Sequence, residues 1–162
     1  MLDDASVIGR SGLKWPNDVE IGGRKVAGIL VEAARIDPGA AAILVAGMGI
    51  NLGWSGEPPA DIAARLTTIE RETGRRVRPT DAADGLVERL AISIEQLVAD
   101  RPGHLNRYRE RCVSIGRSVR LETPAGEIDG IVDGIAEDGA LLVRRPDGTV
   151  GAHTAGDVHH LN

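Results

Sequence analysis

The chain has 162 residues and a formal net charge of −5, with 27% charged and 42% hydrophobic residues. These proportions are typical of a folded globular protein, and the excess of acids argues against a nucleic-acid partner, which would need a basic surface. Aromatic residues make up 2% and phenylalanine is absent, so we predict an aliphatic core. No run reaches the roughly 18 apolar residues of a membrane span, and no signal peptide precedes the first motif. We therefore expect no membrane partner and a cytoplasmic location.

The first predicted elements are strands, within residues 12–52. Residues 25–34 and 41–52 are apolar runs that are too continuous for strands with one solvent-exposed face. We therefore expect central strands that are covered on both sides. Turn signals at residues 22–23 and 36–39 predict two hairpins, so the sheet should be at least partly antiparallel.

Helices are predicted after this sheet. One is expected over residues 61–72, ended by Gly74, and a short one over residues 103–112, whose last residue is the single cysteine, predicted to be buried. The clearest helix runs over residues 81–99, with Thr80 as the expected N-cap. Its apolar residues recur at steps of three and four, which predicts a stripe that faces a core.

Short alternating strands follow from Gly116 onwards, and turn signals at residues 124–126, 137–139 and 146–148 separate them. This pattern of short strands and turns predicts a small β-barrel. The fold class is therefore α+β, with a mixed, largely antiparallel sheet and packed helices followed by the barrel. We place the two predicted domains at residues 1–113 and 114–162.

The first motif that could support chemistry is GLKWPND, residues 12–18. Pro16 fixes its own φ and favours an extended backbone at Trp15, so the neighbouring polar side chains are held in defined directions. Lys14 could neutralise a phosphate, and Asp18 could hold Mg²⁺ that bridges phosphate oxygens. The alternative is an ordinary surface turn, which Asn-Asp pairs often form.

Two further motifs combine polar side chains with glycines. Lys25 opens an apolar strand in which Gly28 permits close approach to the backbone. This lysine could stabilise a substrate carboxylate, or it could simply extend to water from the end of the strand. Residues 47–52 do not form a dinucleotide fingerprint, because Leu52 occupies the next required glycine position. They instead favour a ligand close to the backbone, with the Asn51 amide able to contact a purine or a phosphate.

Together and in this order, the motifs KWPND, GRKVAGILVE and GMGIN closely resemble the biotin–protein ligase family. The similarity continues through YRERC at residues 108–112 and GIAEDGALLV at residues 134–143, so it covers essentially the whole chain. It implies the C-terminal part of a class II synthetase-like catalytic domain, incomplete at its N-terminal side, followed by an SH3-like barrel. A lipoate-ligase relative fits the KWPND strand and the terminal barrel less well.

The resemblance implies a two-step reaction. Biotin and ATP form biotinyl-5′-AMP and pyrophosphate, and a lysine of a biotin carboxyl carrier protein then takes the biotinyl group. The motif positions imply Lys25 and Lys14 as catalytic residues and Asp18 as the Mg²⁺ ligand. The remaining implied roles are biotin binding by Lys25, Gly28 and Gly49, and ATP binding by Lys14, Asn17 and Asn51.

Family members carry a further segment before KWPND, including a glycine- and arginine-rich loop that closes over the adenylate. Only eleven residues precede Gly12 here. We therefore expect a truncated or split protein that does not form biotinyl-AMP by itself. The alternative is a non-catalytic binding module or remnant that associates with a carrier protein or with a complementing N-terminal fragment.

Overall fold

The computed structural model describes residues 10–35 and 43–161 of the chain. These ranges contain two antiparallel sheets joined by helices, in agreement with the predicted α+β class. The first sheet contains β1 (Ser11–Lys14), β2 (Asp18–Ile21), β3 (Arg24–Arg35) and β4 (Ile43–Ile50). The helices are α1 (Ala60–Arg65), α2 (Ile69–Thr73), α3 (Pro79–Ala99) and α4 (Arg101–Arg111). The second sheet contains β5 (Ser118–Thr123), β6 (Gly126–Ile135), β7 (Leu141–Arg144), β8 (Val150–His153) and β9 (Asp157–His160).

The N-terminal sheet, β1–β4, has its strands in sequence order, and every neighbouring pair is antiparallel. Gly22 and Gly23 connect β2 to β3 with φ values of 58° and 75°, a left-handed backbone that favours glycine. This confirms the first predicted hairpin. The second predicted turn, at residues 36–39, lies outside the described residues.

The prediction that β3 and β4 are covered on both sides is wrong for the described residues. Leu30 and Val31 are 59% and 54% exposed, and Leu44 and Val45 are 62% and 55% exposed. Successive strand residues point to opposite faces, so both faces of this end of the sheet are open. Helix α1 instead contacts β3, and the first two residues of α2 bond to Asn51 and Leu52, just after β4 finishes.

The helix predicted over residues 61–72 is divided into α1 and α2. Between them Leu66 has an extended backbone, and the Thr67 N–H donates to the Lys25 carbonyl at 2.9 Å. The Thr68 hydroxyl then caps α2 by accepting from the Arg71 N–H at 3.1 Å. Bonding to β3 therefore competes with helix propagation at this point. Gly74 ends α2 with a φ of 69°, as predicted.

Two predictions for α3 are wrong. The helix begins at Pro79 with Arg78 as its N-cap, because proline suits the first turn, whereas Thr80 lies inside the helix. Its apolar stripe does not face a core: Val87 and Val98 are 67% and 82% exposed, and no described residue of α3 is buried. Within the described ranges, no helix combines the length and hydropathy needed to cross a membrane.

The C-terminal sheet, β5–β9, has the strand order β8-β7-β6-β5-β9. The predicted turns at residues 124–126, 137–139 and 146–148 each connect two of its strands, although Gly126 already belongs to β6. Alternate residues of four strands form a dry aliphatic core, as predicted, and the members that are 0% exposed are Val119, Leu121, Leu141, Val143 and Val158. Cys112 packs against this core and is 7% exposed, but it lies just after α4 with an extended backbone rather than within the helix.

Candidate functional site

The strand register places four of the predicted site residues in one line across the N-terminal sheet. Lys14 pairs with Asp18, Asp18 pairs with Gly28, and Gly28 pairs with Gly49. Residues that are directly opposite in antiparallel strands have their side chains on the same face. The four residues therefore form a row that crosses all the described strands of this sheet.

A β-bulge brings Lys25 to the same face as this row. Asp18 pairs with Gly28 but Glu20 pairs with Lys25, so β3 contains one extra residue, Val26, between the two pairs. In a regular strand, two residues three positions apart would point to opposite faces. The bulge cancels this offset and aligns the side chain of Lys25 with Gly28.

Lys25 and Asp18 form an ion pair at the centre of the row. The Lys25 Nζ lies 2.5 Å from Asp18 Oδ1, and the two side chains are 41% and 16% exposed. A Cβ added at Gly28 would lie 3.2 Å from both of these atoms. The absence of a side chain at Gly28 therefore leaves room for the ion pair and exposes the backbone beside it.

Two cavities share Lys25. The glycine cavity has a volume of about 360 Å³, and its floor is formed by Gly28, Gly47 and Gly49 beside Ile29 and Leu30. The charged cleft has a volume of about 690 Å³ and lies between the two sheets. It is lined by Lys14, Asp18, Glu20, Lys25, Arg65 and, from β9, His160. Lys25 can thus reach a ligand in either space.

Asn17 and Asn51 line the glycine cavity rather than the charged cleft. Backbone bonds fix both residues: the Ile29 N–H donates to the Asn17 carbonyl at 2.9 Å, and the Asn51 N–H donates to the Val26 carbonyl at 2.8 Å. The Asn51 side-chain amide also donates to the Lys25 carbonyl at 3.4 Å. Their predicted contacts with ATP remain predictions.

Glu20 is a residue of the charged cleft to which sequence reasoning gave no role. Burial raises the pKa of its carboxyl group; Lys14 and Arg117 oppose this shift, while the neighbouring charge of Asp18 adds to it. The sequence did indicate that Glu20 lies beside Asp18. Residues two positions apart on a strand share a face, and Glu20 follows Asp18 by two positions.

The described residues could hold Mg²⁺ only through one or two carboxylates, with a phosphate and water as the other ligands. No group of three or more His, Cys, Asp or Glu side chains within residues 10–35 and 43–161 could hold a metal ion. Mg²⁺ in nucleotide sites commonly uses one or two carboxylates and takes its other ligands from phosphates and water. Asp18 and Glu20 can supply such carboxylates in the charged cleft, so a phosphate ligand would have to complete the site.

Trp15 anchors the motif to the C-terminal sheet, a function that sequence reasoning also missed. Its side chain is 4% exposed within the aliphatic core, and its indole Nε1–H donates to the Gly139 carbonyl at 3.0 Å. Its backbone N–H donates to Ser114 Oγ at 3.4 Å, and the Val113 N–H donates to the Leu13 carbonyl at 2.9 Å. The turn between Lys14 and Asp18 is thus held by the C-terminal sheet.

Comparison with known proteins matches both parts of this structure. Residues 10–51 match the Biotin/lipoate A/B protein ligase family, and residues 114–161 match the Biotin protein ligase C terminal domain. The chain is 37% identical over 146 residues to a biotin–[acetyl-CoA-carboxylase] ligase of Paracoccus denitrificans. It is 36% identical over 152 residues to a protein of the same name from Mycobacterium tuberculosis. The chain belongs to the biotin protein ligase family.

The match to these ligases is partial in length. The two alignments cover 86% and 93% of this chain but 59% and 53% of the relatives. The chain therefore spans little more than half the length of the curated relatives it matches. What it shares with them is the C-terminal part of the ligase.

Solved biotin protein ligases have the same fold. The apo structure from Aquifex aeolicus superposes with a TM-score of 0.78 at 24% identity, over 93% of this chain and 66% of that one. The complex of the Aquifex enzyme with biotin and ATP gives a TM-score of 0.75 at 24% identity, over 93% and 62% of the two chains. This likeness confirms the predicted α+β fold with a C-terminal β domain.

Proposed function

We propose that this chain provides the C-terminal part of a cytoplasmic biotin–protein ligase site. The site would join biotin to AMP with ATP and Mg²⁺, and would then pass the biotinyl group to a lysine of a biotin carboxyl carrier protein. The observation that carries this proposal is the row Lys14–Asp18–Gly28–Gly49, with Lys25 aligned beside it. The named activity of the Paracoccus relative and the biotin and ATP bound to the Aquifex enzyme support it.

The chemistry of the first step suits a site built from cations rather than from acid–base groups. A carboxylic acid with a pKa of about 4–5 is already ionised at pH 7 and needs no general base. Its oxygen attacks the α-phosphorus of ATP, and the bond from that phosphorus to pyrophosphate breaks. The main difficulty is to bring two anions together, which fixed positive charge and positioning overcome. Lys25, at the boundary of both cavities, is placed to hold both anions.

The glycine cavity is the proposed site for biotin. Gly28 and Gly49 present bare backbone, and no atom lies within 4 Å of a Cβ built at Gly49. Ile29 and Leu30 add apolar walls beside this floor. A flat, largely apolar ligand could therefore lie against β3 and β4 while its carboxylate extends to Lys25.

The charged cleft is the proposed site for the nucleotide phosphates. Lys14, Lys25 and Arg65 supply positive charge, and the exposed side chain of Arg65 stands across the cleft from the row. When bound, Mg²⁺ would neutralise and orient the phosphate oxygens, with Asp18 as its proposed ligand and Glu20 beside it. We also propose that the chain divides into domains at residues 1–113 and 114–162. Both domains would then line the charged cleft, because His160 belongs to the second.

Substitution of Lys25 tests the proposed function. The assay is pyrophosphate release with biotin and ATP, in a protein completed by the N-terminal segment of the Paracoccus relative. Because Lys25→Ala removes the cation shared by both cavities, we expect adenylation to slow by about 10²–10³-fold. Arg76→Ala is the matched control, since that side chain is 83% exposed, and it should leave the rate unchanged. A Lys25→Ala rate within about threefold of the parent would remove Lys25 from this role.

The exposed apolar faces of β3 and β4 favour a second reading, a binding module without activity of its own. Leu30 and Leu44 are 59% and 62% exposed, and such surfaces mark association sites. We expect the isolated chain to form no biotinyl-AMP, and ordinary turnover by it would overturn this expectation. If a separately expressed N-terminal segment restores activity, the chain is part of a split ligase. If no activity returns, the chain is a binding module or an inactive remnant.

A further inference from the structure

Ser114 connects the KWPND turn to the last strand of the C-terminal sheet. Its side chain is 0% exposed, so its hydroxyl is shielded from bulk solvent. The Trp15 backbone N–H donates to Ser114 Oγ at 3.4 Å, and His160 Nε2 lies 3.2 Å from the same oxygen. A chain of three polar groups therefore runs from β9 to the turn.

The donors and acceptors in this chain can be assigned. A serine hydroxyl has one O–H donor and can accept hydrogen bonds, whereas a backbone N–H can only donate. Ser114 Oγ must therefore accept from Trp15, and its own proton is free to point at His160. That bond needs an unprotonated Nε2, which is the neutral imidazole with its proton on Nδ1. One arrangement thus satisfies all three groups.

We propose that Ser114 and His160 are positioning residues of the ligase site, which hold the Trp15 backbone and thereby set the positions of Lys14 and Asp18. Trp15 lies next to Lys14, and Lys14 pairs with Asp18 directly across the turn. The Trp15 indole is fixed separately by Gly139, so the backbone bond controls how the turn is oriented rather than whether the side chain stays in the core. The consequence for ligand binding rests on the proposed function.

The groups around His160 favour the neutral ring. The pKa of His160 is lowered, mainly by burial and further by the positive charges of Arg117 and Lys14. Arg117 precedes β5 and Lys14 ends β1, so cations face the ring from both packed elements. His160 also lines the charged cleft, whose other titratable side chains are Lys14, Asp18, Glu20, Lys25, Arg65, Asp157 and His159. A neutral ring can accept a hydrogen bond at Nε2, the atom that lies 3.2 Å from Ser114 Oγ.

Amide hydrogen exchange of the ¹⁵N-labelled chain tests the proposal without any ligand. In Ser114→Ala and in His160→Leu, we expect the Trp15 backbone N–H to exchange about tenfold faster or more, because its bonded network is lost. The amide signals of Lys14 and Asp18 should shift as well. His160→Gln keeps a polar group near the position of Nε2 and should return the exchange rate to within about threefold of the parent. His153→Leu is the control, since it removes another partly buried histidine of the same sheet.

Three results would overturn the proposal. They are unchanged Trp15 exchange in both Ser114→Ala and His160→Leu, the same acceleration in His153→Leu, or an equal acceleration at amides throughout β5–β9. The last result would make His160 a residue of general stability. A second experiment in the completed enzyme separates the two hypotheses: His160→Leu should raise the KM for ATP about tenfold or more, and His160→Gln should restore it. If the parent shows no adenylation while the exchange results hold, the proposed function fails and the positioning of the turn stands.

Discussion

The C-terminal sheet encloses a dry core in which Leu121 and Leu141 are 0% exposed. The N-terminal sheet, which carries most of the proposed site, has a small core around Ile21 at one end and bare apolar residues at the other. There, Leu30 and Leu44 are 59% and 62% exposed. Each square ångström of apolar surface removed from water contributes about 25 cal/mol, so the two sheets differ greatly in the stability that burial gives them.

The difference in burial between the two sheets coincides with the two ends of the proposed site. The charged cleft lies between the two sheets, where Trp15 fixes the turn that carries Lys14 and Asp18. The glycine cavity extends towards Ile29 and Leu30, at the end where the apolar residues are open. The phosphate end of the proposed site is therefore supported by this chain, whereas the biotin end depends on a covering that the described residues do not provide.

The largest expected effect compares one leucine from each sheet. Leu121→Ala creates a cavity in the closed core and should lower the free energy of unfolding by about 2–5 kcal/mol. Leu44→Ala removes the same atoms from an exposed strand and should change it by less than about 0.5 kcal/mol. Urea denaturation followed by far-UV circular dichroism measures both values. Similar losses in the two variants would show that β4 is covered in solution and would remove the contrast between the sheets.

The next prediction concerns the polar support of the N-terminal sheet. Glu72 is 4% exposed and accepts from Arg24 and Thr67, each at 2.7 Å, and from Arg10 at 3.1 Å. Burial raises the pKa of its carboxyl group, but these hydrogen bonds and the two arginines outweigh burial and lower it. Its stabilisation is therefore present above the ordinary pKa of 4.5 and is lost as the pH falls through the lower folded value.

We expect Glu72→Gln to cost about 1–3 kcal/mol at pH 7, because Arg10, Arg24 and the buried Thr67 lose a charged acceptor. Glu70→Gln on the same helix is the matched control. Its partner Arg76 is 83% exposed, so its loss should cost less than about 0.5 kcal/mol. Urea denaturation at pH 7 separates the two variants, and equal costs would mean that Glu72 is not the anchor of this sheet.

Much of this architecture could be predicted from the sequence because its signals are local. Gly22-Gly23 needs only its own backbone preference to specify the β2–β3 turn, and Gly74 likewise ends α2. Alternation places Asp18 and Glu20 on one face without any knowledge of their surroundings. The motif order then brought Lys14, Asp18 and Lys25 into a single group, and the register of the strands brings the same residues together.

The rest depended on distant partners. The bulge at Val26 leaves no pattern in the apolar run of β3, yet it decides which face Lys25 occupies. Thr67 interrupts a helical sequence because its backbone N–H bonds to the carbonyl of Lys25 in β3, a residue 42 positions earlier in the chain. An apolar run indicates that a strand is to be buried, but it does not show which residues bury it. The exposure of Leu44 in the described structure could therefore not be predicted.

A smaller effect is expected where the two sheets meet. Trp15→Phe removes the indole N–H that donates to the Gly139 carbonyl and reduces the packed volume in the C-terminal core. We expect a loss of about 1–2 kcal/mol, seen in both sheets because Trp15 joins them. Amide exchange would show faster opening in β1 and β2 as well as in β5–β9. Trp54→Phe is the control, because Trp54 is only partly buried in the loop after β4. An effect of Trp15→Phe confined to one sheet would contradict the joining role.

The smallest expected effect is a dependence of stability on pH that arises in the C-terminal sheet. Burial and nearby cations lower the pKa of His160, and burial followed by Arg145 lowers that of His153, from the ordinary value of 6.5. Below pH 6.5 the unfolded chain binds protons at these histidines more readily than the folded chain does. The free energy of unfolding should therefore fall as the pH decreases from about 7.5 to 5.5, by a total of at most about 1.4 kcal/mol for each unit by which the fold lowers a histidine pKa.

Urea titrations across this range, above the region where most carboxylates titrate, measure the slope. His160→Gln and His153→Gln should each remove part of it, and the double variant should remove nearly all of it. If the double variant keeps the slope of the parent, other groups are responsible and neither ring is held neutral by the fold. If the slope disappears with His160→Gln alone, the junction between the sheets is the acid-sensitive part of the molecule, because His160 is the histidine bonded to Ser114 and through it to the KWPND turn.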